Sequence, residues 1–323
     1  MDGRKDLDPE VAVAFADSPI AGVDFGSYDF AGLPGLRDAM AAMPLPPLPP
    51  TTTSSAQQRI PGRQGAPDVE VRVYQPAGAS RPAPAVYWIH GGGMIFGSGL
   101  NEDARLNRWA EEFGCVVVSV EYRLAPKHPY PEPLEDCYTG LLWTAHHAGE
   151  LGVDPERLVV VGASAGAGLA AGLTLLARDR GEVAIAFQLL IYPMIDDRNV
   201  TVSSNLDALV WSRAANLLGW RAYLGDLHGT DRVPPYAAPA RATDLTGLPP
   251  AFVAVGTLDV FRDEDISYAL DLLAAGVETE LHTYPGAPHG FEMITPDATV
   301  ARRARRDIDD ALGRALRPRA LHS

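Results

Sequence analysis

The sequence feature that most constrains the fold is a pentapeptide at residues 162–166, G-A-S-A-G, whose centre is Ser164. It follows the continuous apolar run 158–161, typical of a buried strand, and precedes the Ala-, Gly- and Leu-rich stretch 168–177, typical of a helix. A G-x-S-x-G pattern between a strand and a helix indicates a nucleophile elbow, a tight turn that holds a serine hydroxyl at the N-terminus of the helix. The sequence therefore predicts a strand–turn–helix unit in which Ser164 is a nucleophile.

Two other interpretations of this pentapeptide compete with the first. Short Gly/Ser/Ala strings occur in tight strand-to-helix turns without any catalytic role, and residues 166–171 also fit the dinucleotide-binding pattern G-x-G-x-x-A. The dinucleotide pattern, however, should begin in the turn itself and be followed about 20 residues later by an acidic residue at a strand end. The next apolar run, 184–191, ends instead at Tyr192-Pro193, which disfavours a dinucleotide site.

A second motif, His90 followed by three glycines up to Gly93, comes directly after the apolar run 85–89. Three glycines in a row leave backbone N–H groups unobstructed by side chains, so that they can donate hydrogen bonds to an oxyanion. A flexible loop or a phosphate-binding loop could carry the same glycines. The Gly-Lys-Ser/Thr ending of a phosphate-binding P-loop is absent, so the two motifs together favour hydrolysis of an acyl bond.

A serine hydroxyl needs a general base and a group that orients the base, and after a G-x-S-x-G motif these follow in the order acid, then histidine. Asp259 lies just beyond the strand-like run 251–255, and His289 lies just beyond the strand-like run 280–284. Because α/β folds assemble their sites at the C-terminal ends of the strands, Asp259 and His289 are predicted to complete the site with Ser164.

Rival candidates for the acid and the base have simpler structural explanations. Asp263, Glu264 and Asp265 fit the acidic first turn of a helix at 263–275, where carboxylates complement the helix dipole. His282 alternates within a strand and is expected to be an ordinary packed or surface histidine. Asp263 is kept as the fallback acid.

The stretch 121–131, E-Y-R-L-A-P-K-H-P-Y-P, adds a third motif, and with it the chain resembles the hormone-sensitive lipase-like branch of the α/β-hydrolases, bacterial carboxylesterases with an HGGG motif. The resemblance extends from about residue 59 to about residue 316. It implies an α/β-hydrolase fold, with a mostly parallel central sheet flanked by helices and a helical cap over the active site. It also implies these site residues: Ser164 as nucleophile, His289 as base, Asp259 as the orienting acid, and the amides of Gly92, Gly93 and Ala165 as the oxyanion hole.

The activity that this resemblance implies is hydrolysis of carboxylic esters with short to medium acyl chains, through an acyl-enzyme intermediate and without a metal or organic cofactor. A lactonase, amidase, deacetylase or acyltransferase could use the same residues. A non-catalytic small-molecule receptor, like the gibberellin receptors that resemble this branch, is disfavoured because those receptors lack the histidine that stands here as His289. The chain departs from the branch at Ala163, where an acidic residue is usual, and at Met94, where Phe or Trp is common.

Composition agrees with a soluble enzyme. The chain of 323 residues is 46% hydrophobic, enough to bury one large core, and no apolar run reaches the roughly 18 to 20 residues of a membrane span. Residues 1–8 are acidic and lack the apolar core of a signal peptide, so a cytoplasmic location is expected. A net charge of −14 disfavours nucleic acid and anionic membranes as partners. The expected partner is a small-molecule ester, and the resemblance is compatible with a homodimer through an edge strand or the last helix.

Hydrophobic periodicity predicts alternating strands and helices over most of the chain. Such alternation indicates a mostly parallel sheet covered on both faces. Cys115 and Cys137 lie in two of these apolar segments and are expected to be buried free thiols. The predicted strands are 69–74, 85–89, 115–120, 158–161, 184–191, 251–255 and 280–284. The predicted helices are 103–113, 134–146, 165–178, 212–224, 263–275 and 300–316.

Two segments, 1–58 and 196–247, stand outside this alternation. Their aromatic residues indicate that these segments cover an apolar surface or an apolar ligand. In the resembled branch they pair as a helical cap over the active site. The chain is accordingly divided into four parts: 1–58, an N-terminal cap segment with a proline-rich connector; 59–195, the first part of the core; 196–247, the cap insertion; and 248–323, the second part of the core.

Within the N-terminal segment, helical patterns near 10–16 and 36–42 lead to a proline-rich run at 44–50 and a polar run at 51–58. Proline fixes the backbone in an extended form and lacks the N–H that pairing in a sheet requires. These two runs are therefore predicted to form a stiff, extended connector and not a packed strand.

Overall fold

The computed structural model describes residues 6–45 and 47–318 of the chain. Outside them lie positions 1–5, on which part of the signal-peptide prediction depends, Pro46 of the proline-rich run, and positions 319–323 of the second core part. The described residues form one sheet of eight strands with helices packed around it. The strands are β1 (Ser54–Ile60), β2 (Val69–Gln75), β3 (Ala83–Ile89), β4 (Val116–Glu121), β5 (Val153–Ala163), β6 (Phe187–Ile191), β7 (Ala251–Gly256) and β8 (Thr279–Tyr284).

The strands follow the spatial order β1-β2-β4-β3-β5-β6-β7-β8. The pairs β1–β2 and β2–β4 are antiparallel, and all pairs from β4 to β8 are parallel. Strands β3 and β7 are buried along their whole length, because both of their faces are covered, which explains their continuous apolar sequences. The predicted mostly parallel sheet is confirmed.

Helices connect the parallel strands and pack on both faces of the sheet. The longer core helices agree with the predicted ranges to within two residues at each end, whereas the short helices at 148–151 and 291–294 were not predicted. The helices are α1 (Pro9–Ala16), α2 (Leu33–Ala41), α3 (Asp103–Phe113), α4 (Glu132–His146), α5 (Ala148–Leu151), α6 (Ala165–Arg180), α7 (Arg213–Leu224), α8 (Arg262–Ala274), α9 (Phe291–Ile294) and α10 (Thr299–Ala315).

Helix α6, which begins directly after Ser164, packs very closely against neighbouring backbone. A Cβ at Gly168 would lie 2.0 Å from the carbonyl oxygen of Met194, and a Cβ at Gly172 would lie 2.2 Å from that of Tyr236. No real Cβ atom approaches an oxygen so closely, so glycine is required at both positions. The close packing fixes the helix whose N-terminus adjoins Ser164.

Replacing Gly168 by alanine is expected to lower the free energy of unfolding by roughly 1–3 kcal/mol, because the Met194 carbonyl must move to admit the methyl group. This loss outweighs the gain of about 0.5–1 kcal/mol that alanine brings to a helix interior. Gly149→Ala is the matched control, since an added Cβ there meets no atom within 4 Å. Urea unfolding of both variants makes the measurement, and equal stability of Gly168→Ala and the wild type would contradict the packing argument.

The prediction for residues 51–58 is wrong in part, because residues 54–60 form strand β1 and not a connector. This strand pairs antiparallel with β2, from Ser54 opposite Gln75 to Ile60 opposite Val69. All its residues except Ile60 are exposed, so the alternation that reveals a strand in the sequence is missing. An edge strand is held by backbone pairing on one side and tolerates polar side chains.

The two predicted cap segments contact each other. The ring of Phe25 lies 6.0 Å from that of Trp211, and a Cβ at Gly26 would lie 2.7 Å from the Cβ of Ala214. Phe25 and Trp211 are both buried, whereas Phe30 of the N-terminal segment is 46% exposed. Part of the aromatic content of these segments therefore covers apolar surface, as predicted.

The two cysteines are buried free thiols, as predicted: Cys115 directly precedes β4 and Cys137 lies within α4. Cys115 donates a weak hydrogen bond from its thiol to the carbonyl oxygen of Trp109 at 3.4 Å. Between residues 6 and 318, Pro46 aside, no helix is both long enough and apolar enough to cross a membrane.

Candidate active site

Ser164 lies in the turn between β5 and α6, with backbone angles of φ 56° and ψ −123°. A non-glycine residue adopts such a conformation only where its surroundings enforce it. The N–H of Ser164 donates to the carbonyl oxygen of Ile191 at 2.8 Å. The glycines on either side are required for space: a Cβ at Gly162 would lie 2.3 Å from the Gly166 carbonyl oxygen, and a Cβ at Gly166 would lie 2.1 Å from that of Ile89. The structure therefore has the strand–turn–helix geometry that the pentapeptide predicted.

His289 and Asp259 approach Ser164 from the turns that follow β8 and β7. Nε2 of His289 lies 2.8 Å from the Ser164 hydroxyl oxygen, and Nδ1 lies 2.7 Å from Oδ2 of Asp259. Asp259 is completely buried, and its Oδ1 accepts a hydrogen bond from the N–H of Phe261 at 3.0 Å. Because an ionised carboxylate only accepts hydrogen bonds, Nδ1 of His289 carries the proton and Nε2 accepts from the serine hydroxyl.

The imidazole of His289 is held between two aromatic rings. The ring centroids of Tyr192 and Phe261 lie 4.7 Å and 5.1 Å from that of His289, and both rings are arranged edge-on. The Tyr192 hydroxyl donates to the carboxylate of Glu292 at 2.8 Å. Glu292 also pairs with the guanidinium of Arg105 at 2.9 Å. These contacts fix the orientation of the imidazole from two sides.

The sequence did not predict the buried cluster next to His289, which consists of Tyr192, Glu292, Arg105 and Glu102. Arg105 pairs with Glu102 at 2.9 Å as well as with Glu292. Burial lowers the pKa of the Arg105 guanidinium, but the two carboxylates raise it by more, so that the pKa lies above its usual value. Burial raises the pKa of the Tyr192 hydroxyl, which therefore stays a hydrogen-bond donor. The sequence signalled only a Tyr-Pro pair at a strand end, and the glutamate that binds Tyr192 lies 100 residues further along the chain.

The glycine loop, residues 90–97, lies directly against Ser164. A Cβ at Gly91 would be 3.3 Å from the Cβ of Ser164. Gly92 and Gly93 have φ values of 113° and 60°, in the region that favours glycine. Among the described residues, the N–H groups of Gly92 and Gly93 have no hydrogen-bond acceptor. Ala165 is the first residue of α6, so its N–H has no acceptor within that helix. The three predicted oxyanion amides thus belong to segments that adjoin Ser164, and they are free to donate.

His90 supports the glycine loop from behind. Its Nδ1 lies 2.8 Å from the Gly91 carbonyl oxygen, and its ring stacks on that of Tyr122 with centroids 4.2 Å apart. The Tyr122 hydroxyl donates to the His90 carbonyl oxygen at 2.9 Å. Burial lowers the pKa of His90, so the imidazole is neutral at neutral pH and its proton lies on Nδ1, which faces a carbonyl oxygen. The start of the loop is therefore anchored to both β3 and the segment after β4.

The fallback acid, Asp263, has other partners. Its carboxylate accepts a hydrogen bond from the N–H of Ser203 at 2.8 Å and another from the guanidinium of Arg262 at 2.7 Å. The carboxylate in contact with His289 is that of Asp259.

The other rival candidates, Glu264, Asp265 and His282, lie in the helix α8 and the strand β8. Glu264 and Asp265 occupy the first turn of α8, as predicted, but both are buried, which the helix-dipole explanation did not include. Oε1 of Glu264 accepts from the N–H groups of Ile195 and Asp196, each at 3.2 Å, and burial raises the pKa of the Glu264 and Asp265 carboxyls. His282 is half-buried in β8 and, as expected, has an ordinary packed position.

The groups that converge in the site come from separate parts of the chain. Among residues 6–45 and 47–318, no group of three or more His, Cys, Asp or Glu side chains is placed to hold a metal ion. The groups that converge are the Ser164 hydroxyl, the His289 imidazole, the Asp259 carboxylate and the amides of the glycine loop. Such a set can transfer a proton and stabilise an oxyanion.

Comparison with protein-family models matches residues 86–293 to the alpha/beta hydrolase fold. The matched span is more than half of the chain and contains Ser164, the glycine loop, Asp259 and His289. The chain belongs to the α/β-hydrolase family. The fold class predicted from the sequence is confirmed by this match and by the arrangement of the sheet.

Relatives of this α/β-hydrolase include esterases that it matches over most of their length. Carboxylesterase NlhH of Mycobacterium tuberculosis is 38% identical over 274 residues, which cover 83% of each chain. Esterase LipI of the same organism is 38% identical over 242 residues, which cover 72% of this chain and 75% of LipI.

Solved structures of two esterases are also similar to this α/β-hydrolase over nearly the whole chain. A bacterial heroin esterase has a TM-score of 0.86 and 42% identity, covering 97% of this chain and 99% of that one. Esterase LipW from Mycobacterium marinum has a TM-score of 0.83 and 34% identity, covering 98% of each chain. The predicted resemblance to bacterial carboxylesterases is confirmed by these relatives.

Proposed function

We propose that this α/β-hydrolase cleaves carboxylic ester bonds, with Ser164 as nucleophile, His289 as general base and Asp259 as the acid that orients His289. The observation that carries the proposal is the hydrogen-bonded chain from the Ser164 hydroxyl through His289 to Asp259, with distances of 2.8 and 2.7 Å. A serine hydroxyl becomes nucleophilic when a neighbouring base takes its proton. The similarity to esterases over most of the chain supports the same reaction.

In the first half of the reaction, His289 takes the hydroxyl proton while Ser164 Oγ attacks the ester carbonyl, and Asp259 stabilises the imidazolium that forms. The amides of the glycine loop and of Ala165 hold the negative charge that develops on the carbonyl oxygen. The proton then passes from His289 to the leaving alcohol, and the acyl group stays on Ser164. In the second half, His289 takes a proton from a water molecule as that water attacks the acyl carbon. The bond between the acyl carbon and Ser164 Oγ then breaks, Oγ takes the proton back from His289, and the acid leaves.

The acyl group is proposed to be short to medium in length. Trp211, from the cap insertion, lies over Gly93, where a Cβ would be 2.4 Å from the indole ring. Phe25 and Phe96 pack beside Trp211, with ring centroids 6.0 and 6.3 Å from it. These buried rings support a cap that limits the space above the oxyanion amides.

The test is hydrolysis of p-nitrophenyl esters from acetyl to dodecanoyl by the purified protein. We expect kcat/KM to be highest for short to medium chains and to fall towards dodecanoyl, because the aromatic rings restrict the acyl space. Absence of turnover on every ester, by a protein that circular dichroism shows to be folded, would contradict ester hydrolysis. A maximum at dodecanoyl would contradict the chain-length proposal alone.

Three broader expectations accompany this proposal. Segments 1–58 and 196–247 are proposed to act together as the cap, and the contact between Phe25 and Trp211 supports this pairing. The cytoplasmic location stays a prediction from the sequence, and the homodimer stays a prediction from the resemblance.

A further inference from the structure

The glycine loop has a backbone conformation that must be held from outside. Gly92, Gly93, Met94 and Gly97 have positive φ values of 113°, 60°, 63° and 100°. Met94 is not a glycine, so its conformation is strained, and its side chain is completely buried. Contacts that enforce this conformation therefore determine where the amides of Gly92 and Gly93 point.

One such contact comes from the N-terminal segment. Arg37, in α2, donates from Nε to the carbonyl oxygen of Ile95 at 2.6 Å, and from Nη2 to that of Ala125. The N–H of Ala125 donates in turn to the carbonyl oxygen of Met94 at 3.0 Å. A single guanidinium thus ties the glycine loop to the segment after β4, at Ile95, which directly follows the strained residue Met94.

The chemistry of Arg37 suits such a tie. A guanidinium is planar and presents its donors in a fixed fork, so two carbonyl oxygens bound to it keep a fixed separation. Among the described residues Arg37 has no carboxylate partner, so its hydrogen bonds go to the main chain. Leu33 and Leu36 of the same helix are each 1% exposed, which anchors α2 in the core and fixes the position of Arg37.

Phe25 adds a second contact from the same segment. Its ring stacks on that of Phe96, with centroids 5.3 Å apart and an angle of 13° between the planes. The N–H of Phe96 donates to the carbonyl oxygen of Gly92 at 3.0 Å. The position of Phe96 is therefore coupled to the peptide that follows Gly92, whose N–H is that of Gly93.

We infer that Arg37 is a positioning residue for the oxyanion amides: by bridging the carbonyls of Ile95 and Ala125, it orients the N–H groups of Gly92 and Gly93 towards the developing oxyanion. This inference rests on the proposed function. The N-terminal segment then contributes to the rate of acyl transfer in addition to covering the substrate. Because oxyanion donors act mainly in the transition state, their misalignment lowers kcat more than it changes KM.

The test compares Arg37→Ala with Arg178→Ala in steady-state kinetics on p-nitrophenyl butyrate. Arg178 is a matched control, because it also donates to two main-chain carbonyls, those of Asp244 and Thr246, at the opposite end of α6 from Ser164. Arg37→Ala is expected to lower kcat by about 10- to 100-fold, less than the loss of a whole oxyanion donor, with KM changed by less than about threefold. Arg178→Ala is expected to keep kcat within about twofold of the wild type.

Two further measurements separate positioning from a folding defect. Arg37→Lys keeps the charge and the aliphatic stem but not the fork, so it is expected to fold and to recover only part of kcat. Guanidinium chloride, added to Arg37→Ala at concentrations far below the unfolding transition, is expected to raise kcat of that variant and not of the wild type. If Arg37→Ala does not fold, Arg37→Lys decides the question.

Unchanged kcat in Arg37→Ala, or a rise in KM alone, would overturn the inference. Wild-type kcat in Arg37→Lys would do the same. In either case an active wild-type enzyme would leave ester hydrolysis standing, so that only the role of Arg37 fails. A folded wild-type protein without esterase activity would overturn both proposals together.

Discussion

Replacing Ser164 by alanine is expected to lower kcat for p-nitrophenyl butyrate by about 10³- to 10⁶-fold. The reason is that the variant has no oxygen to form the acyl-enzyme, and the amides of the glycine loop can only stabilise a direct attack by water. The change removes one oxygen atom from a side chain that is 9% exposed, so the fold is expected to persist. Steady-state kinetics, with circular dichroism as the check on folding, makes the measurement.

Ser119→Ala is the matched control for this substitution. Ser119 is fully buried in β4, and its hydroxyl has no hydrogen-bond partner in the described part of the chain, so its removal is expected to leave kcat close to that of the wild type. A fluorophosphonate that reacts with activated serines gives a second readout. One adduct per chain is expected, on the peptide that contains Ser164, and none in Ser164→Ala. Near-normal turnover in Ser164→Ala, or an adduct on another serine, would refute the assignment.

Asp259→Asn is expected to lower kcat by about 10⁴-fold while leaving the fold intact. An asparagine amide can donate a hydrogen bond to Nδ1 of His289, which moves the imidazole proton to Nε2, the atom that must accept from the Ser164 hydroxyl. Asparagine retains the shape of the aspartate side chain, so the loss of kcat results from the changed tautomer of His289 and the lost charge at residue 259. Kinetics over a range of pH, with KM measured separately from kcat, checks the prediction.

Asp263→Asn is the matched control for the acid, since Asp263 is the alternative that the sequence left open. Its carboxylate is bonded to Ser203 and Arg262 and does not contact His289. We expect kcat to change by less than about tenfold, through a local effect on the start of α8. A larger loss in Asp263→Asn than in Asp259→Asn would reverse the assignment of the acid.

The fold could be predicted because its motifs are local in the sequence. The turn at Ser164 needs two glycines and a strand–helix junction within five residues, and all of these are visible in one pentapeptide. Parallel strands buried on both faces produce continuous apolar runs, which located β3 to β7. Asp259 was found because it follows such a run, and His289 because it follows the alternating strand β8; both lie at the C-terminal edge of the sheet. Their catalytic roles stay predictions until the variants are measured.

The features that the sequence did not reveal depend on contacts between distant residues. Strand β1 is polar because the side chains on both of its faces are exposed, and only its pairing with β2 identifies it as a strand. The bonds from Arg37 to Ile95 and Ala125 span 58 and 88 residues, and no pattern around Arg37 sets it apart from other helical arginines. The pairing of Tyr192 with Glu292 is hidden for the same reason.

The two cysteines give the protein an internal probe of its own unfolding. Cys115 and Cys137 are 0% exposed, and burial raises the pKa of Cys115 to about 12 and that of Cys137 well above its usual range. The thiolate is the reactive form, so a disulfide reagent such as Ellman's reagent is expected to react only with molecules that have opened. When opened molecules close again faster than they react with the reagent, the rate of labelling depends on the free energy of opening. Cys115 therefore reports on the central sheet and Cys137 on the helix that covers it, in the unmodified chain.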